Sequence, residues 1–196
     1  MAVMRLHKSI TADYQVVRDN FIWRDHVLRL LMTAGAIAWL KPETVMDPAC
    51  GDASIVKAAH KLSPIREAYL GDISVPQISA LWGHDFGFVT ELWAGDALEF
   101  MAKHPKCDVV VLTEILEHVL DPNELLRRAR TAGAYLVMST PLNESPNVGN
   151  HEHLWSWDAP DIRDMLSVAG WNPIAYTEIR FSQPGFPYTF QLWVCE

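Results

Sequence analysis

Three side chains that can move protons or bind a cation stand close together in the stretch Cys107 to Pro122, CDVVVLTEILEHVLDP: Glu114, Glu117 and His118. Read as helix, their spacing is i, i+3 and i+4, which places all three on one face. They follow a run of buried-strand character, Val109-Val110-Val111-Leu112, and ligands in open α/β sheets bind at the carboxyl ends of strands. Two carboxylates and an imidazole suit Mg2+, Mn2+ or Zn2+ better than a soft metal. His153, in the stretch His151-Glu152-His153, is the candidate fourth ligand. A metal held there would lower the pKa of a bound hydroxyl and make it a nucleophile. Without a metal, the same groups form the polar mouth of a pocket, with His118, Glu117 and Glu114 as acid–base candidates.

A second set of acids lies earlier in the chain. Asp47, Asp72 and Asp96 each follow a short apolar run. Any one aspartate beside glycine is common in turns; three successive strands ending in Asp are harder to assign to turns alone. After Asp47 comes Pro48-Ala49-Cys50-Gly51-Asp52-Ala53-Ser54, where small residues let a ligand approach the backbone before a helix begins. This is not the GxGxxG dinucleotide fingerprint. A row of acids disfavours a polyphosphate and suits a ligand with hydroxyls, amines or a positive centre, of which S-adenosylmethionine is an example.

These residues need a scaffold that brings strand ends together. Residues 13–40 read as helix, with Leu28, Leu31, Met32 and Gly35 at the spacing of one packed stripe, ended by Lys41-Pro42. Strands are expected at Thr44–Met46, Glu67–Leu70 (stopped by Gly71-Asp72), Val89–Trp93, Val109–Leu112, Ala134–Ser139, Ile174–Ile179 and Thr189–Cys195. Helices are expected at Ile55–Leu62, Val75–Trp82, Asn123–Thr131 and Ala159–Ala169, the last with Asp158 as N-cap and Gly170 at C′. Alternating strands and helices imply a parallel sheet with right-handed crossovers. The last two strands have no helix between them, only a Pro- and Gly-bearing loop, Gln183 to Pro187, so at least one of the two is expected to run antiparallel. The polar stretch Thr140 to Asp158 is long for a compact domain, and such loops are often functional.

Composition bounds the reading. The chain has 196 residues, 49% hydrophobic and 20% charged, which fits one globular domain. Its net charge of −8, from 16 basic and 24 acidic residues, disfavours a broad nucleic-acid surface without excluding a local one. Arg127, Arg128 and Arg130 share a helix and read first as a solvated face. Three cysteines, Cys50, Cys107 and Cys195, with no CxxC, point to a reducing, cytoplasmic setting. No secretory signal is visible, and the longest apolar stretch, Leu30 to Leu40, falls short of the roughly 20 residues of a membrane span. Eight tryptophans are many, and some are expected at a pocket or interface.

The motifs VMDPACGDAS, YLGDIS, AGDALEF, DVVVLTEILEHVLDP and YLVMSTP, in that order, resemble the class I S-adenosylmethionine-dependent methyltransferases from about Thr44 to Cys195. The resemblance implies an α/β, Rossmann-like sandwich with a seven-stranded, mostly parallel sheet and an antiparallel last strand. It implies one domain over 1–196, with 1–43 as a helical lid and 44–196 as the cofactor-binding core; Tyr14, Phe21, Trp23 and Arg24 are lid candidates. By resemblance, the loop with Asp47, Ala49 and Gly51 holds the methionine part of the cofactor, Asp72 the ribose and Asp96 the adenine amine. Ile73 and Ala97 pack on adenine, and Thr113 and Glu114 lie beside the transferred methyl. Family loops carry glycine where this chain has Ala49 and Ala53; alanine is mild at 49 if φ is negative there, and at 53 it is expected to narrow the approach to the helix start.

Two subgroups bear on the acceptor. The ubiquinone-pathway O-methyltransferases are similar through ExLEHVxDP. The small-RNA 2′-O-methyltransferases carry ExxEH plus a later His and aromatics, matched here by Glu114, Glu117, His118 and His153 with Leu154-Trp155-Ser156-Trp157; in that family those four side chains hold a metal that grips the terminal ribose. The expectation is methyl transfer to an oxygen of a small molecule, with nitrogen acceptors also open, using S-adenosylmethionine and, on the metal reading, Mg2+ or Mn2+. Methylation of an RNA 3′ terminus and a non-catalytic cofactor-binding protein are the alternatives. Oligomeric state is not encoded in any pattern found.

Overall fold

The computed structural model describes residues 3–4, 24–144, 152–180 and 189–196, with residues 3–4 and 24–25 described by backbone alone. In chain order the elements are β1 (Val3–Met4), α1 (Arg24–Leu40), β2 (Thr44–Asp47), α2 (Ser54–Leu62), β3 (Glu67–Asp72), α3 (Val75–Leu81), β4 (Val89–Ala94), α4 (Ala97–Lys103), β5 (Cys107–Thr113), α5 (Pro122–Ala132), β6 (Gly133–Pro141), β7 (Trp155–Ser156), α6 (Ala159–Val168), β8 (Pro173–Arg180) and β9 (Thr189–Cys195). The main sheet has seven strands in the order β4-β3-β2-β5-β6-β9-β8, with β9 antiparallel to both neighbours. This is the expected Rossmann-like architecture. The short strands β1 and β7 pair separately.

Alternation along the central strands divides the core in two. Val109 and Val111 face the layer built by α1, α2 and α3, with Leu30, Ala34, Ile37, Ile55, Val56 and Ile78 buried there. Val110 and Leu112 face the layer of α4, α5 and α6, with Phe100, Leu125, Leu126, Ile162 and Leu166. Strands covered on both faces read as continuous apolar runs, which is why β5 is so visible in the sequence. The order reverses beside β2, which has β3 on one side and β5 on the other, and such a switch point opens a crevice at the strands' carboxyl ends.

Several expectations change. The Leu28–Leu31–Met32–Gly35 stripe is not the packed face of α1: Leu28 and Leu31 are exposed, and the buried face is Arg29, Leu30, Thr33, Ala34 and Ile37. That face contains two polar residues, so an apolar count along the helix selects the wrong side. The face also makes α1 part of the core, which places a core helix inside the segment expected to act as a lid. Residues 13–23 of the expected helix, including Tyr14, Phe21 and Trp23, lie outside the described residues, as does the Arg24 side chain.

Strand β3 continues through Gly71 and Asp72 instead of stopping before them. Helix α4 was not expected from the sequence; Asp96 caps it, accepting hydrogen bonds from the Leu98 and Glu99 N–H groups. Asp158 caps α6 by accepting from Asp161 N–H, and Gly170 has φ +84° just beyond its end, both as expected.

Gly133, where α5 turns into β6, sets the approach of β6 to β5. A Cβ there would lie 2.6 Å from Val110 Cγ2 and 3.2 Å from the Val110 backbone nitrogen. Gly133→Ala is therefore expected to destabilise the fold by about 1–3 kcal/mol through overpacking, read as a lowered denaturation midpoint in urea.

Candidate active site

The loop after β2 is held by the end of β3. Asp72 accepts hydrogen bonds from Gly51 N–H at 2.9 Å and Ser74 N–H at 2.8 Å, and Cys50 N–H donates to Gly71 O at 2.8 Å. One carboxylate thus fastens two adjacent loops, and with about four lone-pair sites it keeps capacity for ligand hydroxyls. Gly51 and Ala53 adopt left-handed φ of 52° and 59°. Ala49 is absent from the positive-φ residues, so alanine is unstrained there. The methyl of Ala53 is fully buried with the core residues of α1 and α2, so the cost at 53 is backbone strain and not the expected narrowing of a ligand's approach.

Asp47 is 1% exposed and accepts from Ala49 N–H at 3.2 Å. Burial pushes its carboxyl up to about 7, helped by the charges of Asp72 and Asp52 and opposed by the Ala49 hydrogen bond and the Arg29 cation. Beyond β3, Ile73 is 55% exposed although apolar. Asp96 and Ala97 sit at the start of α4, with Asp96 serving the helix cap.

The acid–acid–His segment is not a helix face. Thr113 ends β5, Glu114 takes a left-handed φ of 53°, and one 3-10 turn, Leu116–His118, follows. The side chains consequently diverge. Glu114 accepts a 2.7 Å hydrogen bond from Ser139 Oγ and lies 3.9 Å from Arg29 Nε. Glu117 is 1% exposed; Thr140 Oγ1 donates to its Oε2 at 3.0 Å, while its buried Oε1 has no hydrogen-bond partner among the described residues. Burial, with the charge of Glu114, pushes Glu117 up to about 8 against the opposing His153 charge and the Thr140 and backbone hydrogen bonds.

The long segment after β6 returns His153 to this turn. His118 Nδ1 is 3.2 Å from Glu152 O, the rings of His118 and His153 meet edge-on at 4.7 Å, and Leu154 N–H donates to Glu117 O at 2.7 Å. His153 Nδ1 contacts the Glu144 carboxylate at 2.5 Å. Burial disfavours the His153 cation, but the Glu144 hydrogen bond and the surrounding carboxylates outweigh it and raise its pKa.

One ligand atom from each of Glu117, His118 and His153 falls within 4.8 Å of the others. Of the four expected metal ligands the structure thus groups three, and turns Glu114 toward Arg29 and Ser139. Trp155 is half-buried and donates from Nε1 to Val119 O, whereas Trp157 is a core residue at 2% exposure. His151 lies outside the described residues.

Four residues of this site were not legible beforehand: Arg29, Ser139, Thr140 and Glu144. An arginine alone in the apolar run LRLLMTAGAIAWL, and two hydroxyls ending a buried strand, were the available signals.

Residues 20–176 match the model of a family described as a methyltransferase domain. The chain belongs to this methyltransferase family. The fold of the methyltransferase is shared with solved structures at low identity. The methyltransferase domain of bacterial CtHen1-CN is 16% identical, with TM-score 0.67, covering 88% of this chain and 99% of that one. Magnesium protoporphyrin IX methyltransferase from Synechocystis PCC 6803, with bound SAH, is 15% identical, with TM-score 0.67 and coverage of 93% and 90%. The [4+2]-cyclase SpnF is 11% identical, with TM-score 0.70 and coverage of 92% and 83%, so fold likeness alone does not name a reaction. No curated protein matches the chain. No helix among the described residues is long and apolar enough to cross a membrane, and all three cysteines are free and buried.

The methyltransferase keeps Asp47 at a cost to its own stability. Between 3.8, the ordinary value, and about 7 the folded state retains a proton that the unfolded chain gives up. Stability therefore falls as pH rises through that window and levels off above it. Asp47→Asn should remove the loss, raising neutral-pH stability by up to about 4 kcal/mol and flattening the pH dependence of the urea midpoint.

Proposed function

We propose that this methyltransferase transfers a methyl group to an oxygen of a small molecule bearing two adjacent oxygens, assisted by a divalent metal. The observation that carries the reading is the group of Glu117, His118 and His153 at the carboxyl end of β5, next in the sheet to the β2 end that bears Asp47.

S-adenosylmethionine, when bound, supplies a methyl group on a sulfonium cation. The Asp47–Ala53 loop with Ala49 and Gly51 holds its methionine part, and Asp47 takes its ammonium. Arg29, 3% exposed and with no hydrogen-bond partner at Nε among the described residues, faces its carboxylate. Asp72 holds the ribose, Ile73 and Ala97 the adenine ring, Asp96 the adenine amine, and Thr113 and Glu114 border the methyl.

The unpartnered Oε1 of Glu117 fits a cation ligand, since a buried carboxylate oxygen without a partner is costly. The Nδ1 atoms of His118 and His153 face a backbone carbonyl and a carboxylate, so Nε2 is the atom each ring would offer to a cation. One carboxylate and two imidazoles suit Mn2+ or Zn2+ better than Mg2+, which favours all-oxygen octahedra. Bound there, a divalent ion would lower the pKa of an acceptor hydroxyl. The protein's own part is to orient the acceptor and to receive its proton. Where no metal is held, Glu117, pushed up to about 8, is a stronger base than an ordinary carboxylate; a divalent ion on its Oε1 would lower that value and leave the acceptor's proton to solvent.

The same grouping supports a second reading, in which the adjacent oxygens are those of an RNA 3′-terminal ribose. The charge distribution favours the small molecule. Arg127 pairs with Asp121 and Glu124, and Arg130 is bound to the carbonyls of Gly170 and Gly133, so two of the three arginines of helix α5 are already engaged within the fold and not set out for phosphates.

Glu117→Gln and His153→Ala are each expected to lower methylation of a catechol or vicinal-diol acceptor by about a hundredfold or more, with S-adenosylhomocysteine affinity unchanged by calorimetry. Wild-type activity on a 3′-ribose oligonucleotide but on no small acceptor would favour the RNA reading, and absence of S-adenosylmethionine binding at millimolar ligand would refute the enzyme reading. Ionised Asp47 is the form that takes an ammonium, so cofactor affinity should rise with pH through about 7. Asp47→Asn should remove that rise and weaken binding about tenfold or more, the loss of a charge-assisted hydrogen bond.

A further inference from the structure

The segment between β6 and α6 is tied at its base. Leu142 bridges Trp157, Asn143 N–H donates to Trp157 O at 2.9 Å, and Ser156 Oγ donates to Glu144 O at 3.0 Å. The returning limb is fastened to the turn after β5 by the bond from Leu154 N–H to Glu117 O. None of these four contacts uses the Glu144 side chain. The stem is therefore closed without its carboxylate, yet that carboxylate lies inside the protein, 3% exposed, against an imidazole 7% exposed. Burying a carboxylate is expensive unless something specific is gained from it.

What it fixes is the ring of His153. A carboxylate only accepts hydrogen bonds, so in the 2.5 Å contact Glu144 would take its bond from His153 Nδ1–H, which in the neutral ring puts the lone pair on Nε2. We propose that Glu144 is the positioning residue of this site. It holds the tautomer and ring orientation in which His153 would offer Nε2 to a cation shared with Glu117 and His118, and so sets the affinity of the group for a divalent cation. The inference rests on the metal reading of the preceding subsection. Carboxylates that orient ligating imidazoles typically contribute tenfold to hundredfold in metal affinity. Glu144 was not among the expected ligands, and its role is to act through His153.

The test uses the full chain saturated with S-adenosylhomocysteine and titrated with Mn2+ by calorimetry. Glu144→Ala should weaken Mn2+ binding about tenfold to hundredfold while leaving S-adenosylhomocysteine affinity unchanged. Glu144→Gln, whose side-chain carbonyl still accepts from Nδ1–H, should recover most of the affinity. A second readout needs no metal: nitrogen-15 NMR of His153, at a pH above its titration, should show the Nδ1–H tautomer in wild type and in Glu144→Gln, and a shift toward Nε2–H in Glu144→Ala. Wild-type Mn2+ affinity in Glu144→Ala would overturn the proposal, as would equal losses of Mn2+ and S-adenosylhomocysteine affinity in both variants, the mark of a simple staple. If wild type binds no Mn2+, the metal reading fails by itself. The NMR comparison then decides the positioning role, which a tautomer unchanged in Glu144→Ala overturns.

Discussion

The site is organised by an excess of buried negative charge at the carboxyl ends of neighbouring strands. Asp47, Glu117 and Glu144 are all buried, and among the described residues the one buried arginine or lysine is Arg29. Charges removed from water must be paired or neutralised, and this chain does some of both. Arg29 sits by Glu114, His153 leans on Glu144, and the carboxyls of Asp47 and Glu117 are pushed up into the neutral range. A pocket in that condition is suited to cations. A sulfonium cofactor with an ammonium group, and a divalent metal beside it, are ligands of the required sign.

The fold makes this imbalance affordable by surrounding it with two apolar layers. Strands β2 and β5 are buried on both faces, and their register brings Val45 opposite Val109 and Met46 opposite Val110. The polar residues appear only where these strands run out. Helix α1 shows the same division within one element. Leu30, Ala34 and Ile37 pack in the core, while Arg29, on the same face, reaches Ser139 Oγ at 3.5 Å and Glu114. Anchoring the cation on a core helix fixes its position.

The sheet, the order of its strands and the acids at their ends were legible because buried parallel strands are apolar runs with abrupt polar stops. Helix α1 was legible as a helix but not in orientation, since Arg29 and Thr33 interrupt the stripe that actually packs. Helical spacing also misled at Glu114, Glu117 and His118. The left-handed backbone at Glu114 breaks the helix before it starts, which sends Glu114 to Ser139 and Arg29 and leaves Glu117 and His118 to meet His153. Ser139 and Thr140 show only as two hydroxyls ending a buried strand, and Glu144 carries no local signal, because their roles arise from strand pairing and from the stem of a long loop. Helix α4 was hidden for a different reason: Asp96 reads as one of a row of ligand-facing acids, and in the structure it also caps a helix.

The central claim is that the cofactor loop and the Glu117–His118–His153 group serve one reaction centre. A crystal structure of the protein with S-adenosylhomocysteine and Mn2+, using anomalous scattering to locate the metal, tests it most directly. The account predicts the methionine end against Asp47 and Gly51, the sulfur facing the turn after β5, and an Mn2+ peak coordinated by Glu117 and the Nε2 atoms of His118 and His153, with Glu114 still bound to Ser139. A cofactor whose sulfur faces away from that turn, or a metal bound elsewhere with the three side chains unliganded, would contradict it.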